Sequence, residues 1–348
     1  MQLSRLYPFH FNSTGVSQLK VKVRVIVTSL TILLLTSCDM TDVHTSSPTS
    51  SFPQTDSLVE TSDISYDGKY TLTVDEERVC LWNNLTQNPQ LPCLTGEARK
   101  YIEIVKVAKN NQYFITSNRV SVRLYSIQSG LLVGEWSLPD HIITDIALSK
   151  DSDVILLGFR SGKVSVINPF TKVMATYQKH KLDINSVSMS DDGLTAFTGS
   201  SDKTAKYWDV ITGETIYSFN HMSRVNHVAL SADQSIGFSI DGIKDKNIWN
   251  LQTGELISEL DSHVRFMVFN DSEISADNSL LLTGSPKQTI QLWRLIDGKL
   301  IAEWQATHLK KRASVLSVAF KGNSILSITS DGILEEWQLP SPSIINQP

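Results

Sequence analysis

Eight histidines, three cysteines and a scatter of carboxylates are the side chains of this 348-residue chain with the widest chemical reach. The histidines are His10, His44, His141, His180, His221, His227, His263 and His308. None forms a His-x-His pair or a Glu-x-x-His spacing, the patterns that bring two ligands onto one metal ion. There is no Gly-x-Ser-x-Gly elbow to present a nucleophile and no phosphate-cradling glycine loop. Paired carboxylates could do acid–base work only if the fold brought them together, which spacing along this chain does not indicate. The residues therefore imply no metal, no cofactor and no catalytic set. Cys80 and Cys93 bracket one hairpin. Cys80 shares its column with the mostly polar Arg123, Ser165, Lys206, Gln291 and Glu335, and Cys93 shares its own with Phe219 and Trp304. Columns that need not face each other favour two separate thiols over a bridge.

The third cysteine belongs to a different context. Lys20, Lys22 and Arg24 precede an apolar run from Val25 to Leu35, which ends in Leu35-Thr36-Ser37-Cys38. A basic segment, a short apolar stretch and small residues form a secretory signal, and the run falls short of the roughly 20 apolar residues of a membrane-spanning helix. The four residues ending at Cys38 resemble the bacterial lipobox. That resemblance implies a signal peptide over 1–37, acylation of the Cys38 thiol, and a protein held on the bacterial cell envelope facing the periplasm. Asp39 resembles an inner-membrane retention signal, although the outer membrane stays open. The alternative is an ordinary secreted protein with a chance cysteine. Residues 38–57, rich in Ser, Thr, Asp and Pro, read as a flexible tether.

The chain as a whole has the composition of a folded body, with 41% apolar and 19% charged residues. Lys and Arg total 31 against 36 Asp and Glu, so the net charge of -5 argues against nucleic acid as a partner.

The positioning elements come from a repeat. Trp82, Tyr125, Ile167, Trp208, Trp249, Trp293 and Trp337 close similar alternating segments, at successive gaps of 43, 42, 41, 41, 44 and 44 residues. Five residues after the aromatic a glycine recurs (Gly130, Gly213, Gly254, Gly298), suited to the positive φ of a hairpin turn. Upstream, segments such as Val187 to Gly193 alternate and then break at Asp/Gly, the pattern of antiparallel strands.

This period and the Trp208-Asp209 dipeptide resemble the WD40 repeat. The resemblance implies an all-β, seven-bladed propeller over 58–340 with four antiparallel strands per blade, and a short tail over 341–348. It also implies a buried hydrogen-bond network in each blade. In the fourth repeat this would be His180, Thr198 or Ser200, Asp202 and Trp208; in the seventh, His308, Thr329 or Ser330, Asp331 and Trp337. Repeats two and three lack the Trp and repeat six lacks the Asp, so those blades would be held by packing. The seventh repeat ends after its third strand, which leaves the segment near 49–54 to supply the fourth and close the ring.

Charge is the remaining signal. The connections between blades carry Arg99 and Lys100, Lys179 and Lys181, Arg224, Arg265, and Lys310, Lys311 and Arg312, while the opposite turns carry Asp67, Asp151, Asp153, Asp191, Asp192, Asp233 and Asp277. A basic loop face would bind an acidic protein or an anionic envelope polymer. The reading is a non-catalytic, lipid-anchored interaction scaffold. The alternatives are an enzyme or small-ligand binder using the central channel, and an outer-membrane assembly factor.

Overall fold

In the computed structural model, which describes residues 43–309 and 313–347, seven antiparallel sheets of alternating strands follow one another along the chain. Each begins with an inner strand and meanders outward. The fourth blade shows the plan: Ile184–Met189, Thr195–Ser200, Thr204–Asp209 and Thr215–Asn220. The turn glycines adopt the positive φ that the spacing requires, with Gly213 at 73° and Gly254 at 76°. A side chain there would also strike the preceding blade, because a Cβ on Gly213 would lie 2.4 Å from the Tyr177 ring.

The second strand of a blade is buried on both faces, polar residues included, because each sheet is sandwiched between two others. Tyr70–Asp75 and Thr195–Ser200 are buried at every position. Packing between sheets buries Trp208, Trp293, Trp304, Trp337, Phe159, Phe197 and Phe238 almost completely. The Trp indole N–H finds a hydroxyl one strand inward in four blades: Trp82 to Thr73, Trp249 to Ser239, Trp293 to Thr283 and Trp337 to Ser327. The second blade has Tyr125 at this place, stacked on Phe114 at 5.1 Å, and the third has the fully buried Ile167. The sixth blade keeps its Trp293–Thr283 bond although it lacks the Asp.

The ring closes from both ends of the chain. Ser50–Pro53 pairs antiparallel with Ile333–Gln338 and forms the outer strand of the seventh blade. The closure continues upstream. His44 bridges in parallel to Ala302 on the outer strand of the sixth blade, and Trp304 Nε1 donates to Ser46 Oγ at 3.0 Å. The segment read as a flexible tether is thus, over its described part, docked chain. The tail is docked as well: a helical turn at Pro342–Ile345 packs Ile344 and Ile345 on the core between the last two blades.

The first blade corrects the reading of the cysteines, because Cys80 and Cys93 are joined in a disulfide. Its outer strand is broken into Asn88–Pro89 and Leu94–Thr95. In the fourth blade Ala205, three residues before Trp208, faces Phe219, eleven after it. In the first blade Val79, three before Trp82, faces Leu94, twelve after it. One extra residue moves the segment to the other face, as any one-residue slip must, and sets Cys93 against Cys80 with their Cα atoms 4.5 Å apart.

Candidate interaction face

Connections from an outer strand to the next inner strand emerge at the same end of each blade as the turn between its second and third strands. Backbone bonds join the two sets of loops: Gly242 N–H donates to Arg224 O at 2.9 Å and Phe266 N–H to Ile243 O at 3.0 Å. The basic residues read from sequence divide on this face. Arg99 is 8% exposed, with its guanidinium on Glu60 at 2.8 Å and on the Asp75 carbonyl. Lys179 is 5% exposed, and its ammonium donates to Gly213 O at 2.8 Å and Thr215 Oγ1 at 2.9 Å. Burial, with the Lys206 charge second, brings the Lys179 ammonium down to about 8. Both residues are internal ties and leave the proposed crown. Lys100 is exposed beside Glu97, at 3.4 Å. Lys181, Arg224 and Arg265 are exposed. Lys310, Lys311 and Arg312 lie outside the described residues, as do Cys38, Asp39 and the signal segment.

The face carries both signs. Over the first two blades Glu76, Glu77, Glu97 and Glu103 stand beside Arg78, Lys100 and Arg119. Over blades four to six Lys181, Lys203, Arg224, Lys244, Arg265 and Lys287 are exposed, with Asp183 and Asp261 among them. Apolar side chains interleave with these cations: Leu182, Met222, Ile243, Val264 and Phe266, the last 64% exposed. Phe266 sits at a φ of 57°, a left-handed conformation that costs an aromatic residue free energy. The connections between blades do not contain Lys203, Lys244 and Lys287, which reach this face from the turns between second and third strands. On the opposite end Ile211 and Ile296 lie on separate turns, and Phe170 packs against the Tyr113 ring at 5.8 Å.

The acidic turns opposite have a local task. Ser190 Oγ donates to Asp192 at 2.6 Å and accepts the Thr195 N–H at 3.1 Å. Ser65–Asp67, Ser149–Asp153, Ser231–Asp233 and Ser275–Asp277 repeat the bond. These carboxylates fasten turns.

The hydrogen-bond network is present but redistributed. His180 Nδ1 lies 3.2 Å from Asp202 and 3.1 Å from Thr204, and its Nε2 lies 2.8 Å from Thr198. Ser200 Oγ accepts the Asp202 N–H instead of joining the histidine. Trp208 Nε1 has no hydrogen-bond partner, although this repeat is the nearest to the family pattern; the Lys179 ammonium stands 4.8 Å over its ring. Burial lowers the His180 pKa against the pull of Asp202, and the His180 and Thr204 bonds lower that of Asp202 against burial. In the seventh blade Asp331 accepts the Leu309 N–H, Trp337 bonds Ser327 rather than Thr329 or Ser330, and His308 is exposed. His263 is exposed too, while His221 is buried in the fifth blade.

The central channel holds charges that no linear pattern signalled. A cavity of about 430 Å³ is lined by Asp63, Lys106, Asp145, His227, Asp271 and Glu273 among others. Most of these carboxylates latch one inner strand to the next: Asp63 takes the Val107 N–H at 2.7 Å, Asp145 the Val187 N–H at 2.8 Å, and Asp271 the Val318 N–H at 3.0 Å. Ser186 and Ser317 do the same for Val228 and Ile64. Lys106 bonds Asp63 at 3.0 Å and His227 bonds Ser272 at 2.7 Å. Burial raises Asp63 to about 6 and lowers His227 to about 4. These bonds tie the inner strands to one another around the channel.

Comparison with known proteins agrees with this architecture. Residues 171–209, most of the fourth repeat, match the family model described as WD domain, G-beta repeat. A CCR4-associated factor 4 homolog of the yeast Vanderwaltozyma polyspora is 25% identical over 118 residues, which are 29% of this chain and 17% of that protein. The chain thus spans a small fraction of that relative. A chain in a crystal structure of a mitotic checkpoint complex superposes with a TM-score of 0.71 at 18% identity, over 85% of this chain and 96% of that one. This likeness is one of fold.

Proposed function

We propose that this propeller is a non-catalytic interaction scaffold that binds an acidic protein segment carrying apolar anchors. The observation that carries the reading is the arc over blades four to six, where Lys181, Arg224, Lys244 and Arg265 alternate with Leu182, Met222, Ile243 and Phe266. Cations steer an acidic partner, and exposed aromatic and aliphatic side chains supply the contact that desolvates on binding. The apolar share favours a protein over an anionic envelope polymer. Phe266, held by its N–H on Ile243 O at 3.0 Å in a left-handed turn, keeps its ring exposed on this face.

The same proposal places the protein on the bacterial envelope through acylated Cys38, facing the periplasm. Two features support that setting: the lipobox-like residues before Cys38, and the Cys80–Cys93 bridge, which suits an oxidising compartment. The test is crosslinking in intact cells followed by affinity capture, comparing the native protein with a Lys181→Glu, Arg224→Glu, Lys244→Glu triple variant and with Cys38→Ala. A partner retained by the native protein and lost from the folded triple variant is the expected result. Equal capture by both would overturn the arc. Failure of Cys38 to take up a fatty-acid label would overturn the anchor separately.

A further inference from the structure

Blade five departs from blade four at the positions around its buried histidine. In blade four, His180 Nδ1 is satisfied by Asp202, six residues before Trp208, and by Thr204, four before it. In blade five the residue six before Trp249 is the exposed Ile243, the residue four before is Asp245, and the residue eight before, Ser200 in blade four, is Asp241. A carboxylate has been lost from one position and gained at two others. The His221 side chain is fully buried. Its Nε2 lies 2.9 Å from Ser239 Oγ, but its Nδ1 has no hydrogen-bond partner and lies 3.9 Å from Asp245. Donor atoms of His221, Asp241 and Asp245 all fall within 4.8 Å of one another.

We propose that His221 Nδ1 and the carboxylates of Asp241 and Asp245 form a binding site for a divalent transition-metal ion, Zn²⁺ by its donor set. One imidazole with two carboxylates suits Zn²⁺, whereas Ca²⁺ and Mg²⁺ prefer an all-oxygen shell. The surroundings resemble the outer shell of such sites. Ser239 Oγ takes the Trp249 Nε1–H at 2.8 Å and lies 2.9 Å from His221 Nε2; metal binding would select the tautomer with its proton on Nε2, toward that hydroxyl, and free the Nδ1 lone pair for the ion. Asp241 is oriented by the backbone N–H groups of Ser223, Ile243, Lys244 and Asp245, and Asp245 by that of Met222. The Asp245 side chain is 17% exposed, which gives an ion a way in from the loop face. The buried Lys246 ammonium is held on Ser262 O and Val264 O, so it offsets only part of the negative charge. Three protein ligands leave a fourth position for water.

Zn²⁺ titrated calorimetrically into tag-free, chelator-treated protein tests the site, alongside melting curves with and without the ion. Native protein takes up one equivalent saturably, and its melting temperature rises by several degrees with excess Zn²⁺. Asp245→Thr installs the residue that blade four uses at this place; it is expected to fold, to bind Zn²⁺ at least tenfold more weakly, and to lose the melting shift. Asp245→Asn replaces it if the Thr variant does not fold. Absence of saturable uptake by the native protein, or an undiminished response in the variant, overturns the site.

Discussion

The ammonium of Lys179 stands 4.8 Å above the Trp208 ring, one residue before the His180 that bonds Thr198. A residue that looks like part of a charged surface is a clamp between strands. Lys179→Met keeps the apolar stem but strands the Gly213 carbonyl and the Thr215 hydroxyl. The Gly213 carbonyl is half-buried and Thr215 is exposed, so water replaces part of what is lost and the cost is about 0.5–1.5 kcal/mol. The melting temperature is expected to fall by a few degrees, with partner capture by the folded protein unchanged. Reversal of Lys181 or Arg224 is expected to do the opposite.

The Cys80–Cys93 bridge closes a loop with a sequence separation of 13 and holds an outer strand that makes only two short pairings. Loops of that size contribute about 3 kcal/mol when crosslinked. Cys93→Ser is therefore expected to lower the melting temperature and to raise hydrogen exchange between residues 84 and 95 more than in the other blades. Uniform exchange across all blades would contradict a local staple.

Glu273 gives a pH dependence with a definite sign. Burial, aided by the Asp271 and Asp63 charges, pushes its carboxyl up to about 8 against the Phe320 N–H bond, and its Oε1 has no partner. The folded state holds this proton more tightly than the unfolded chain. The contribution to stability is therefore full below the unfolded value near 4.3 and is lost as pH rises through about 8. Glu273→Gln mimics the protonated form and can still accept from Phe320. It is expected to melt like the native protein at pH 4 and several degrees higher at pH 9. Identical curves at both pH values would remove the charge from consideration.

Removing residues 43–53 strips the seventh blade of its outer strand and the sixth of the His44 bridge. The third strand of blade seven, Ile333–Gln338, then becomes an open edge. The shortened protein is expected to melt lower and to self-associate with concentration in sedimentation. A monomer of native stability would show that closure is dispensable.

The ring was legible because its signal repeats. Each Trp, each turn glycine and each Asp-broken alternation was weak alone, but seven registered copies left one architecture, including the exchange that fills the last blade from Ser50–Pro53. The surface was less legible because a loop residue's type does not give its direction. Arg99 and Lys181 look alike in sequence, yet one turns inward onto Glu60 and the other faces solvent. The disulfide depended on one extra residue in the outer segment of the first blade. The channel carboxylates Asp63, Asp145 and Asp271 come from the first, third and sixth blades and converge only when the ring closes.

Closure by Ser50–Pro53 has a consequence for biosynthesis. The chain is made from its N-terminus, so this strand appears first and waits for Ile333–Gln338, nearly 290 residues later. Early blades can form as they emerge, but the circle is completed only when the last repeat is available, and its pairing is the most distant in the sequence. Truncation within the final repeat therefore leaves the beginning of the protein unpaired as well as the end.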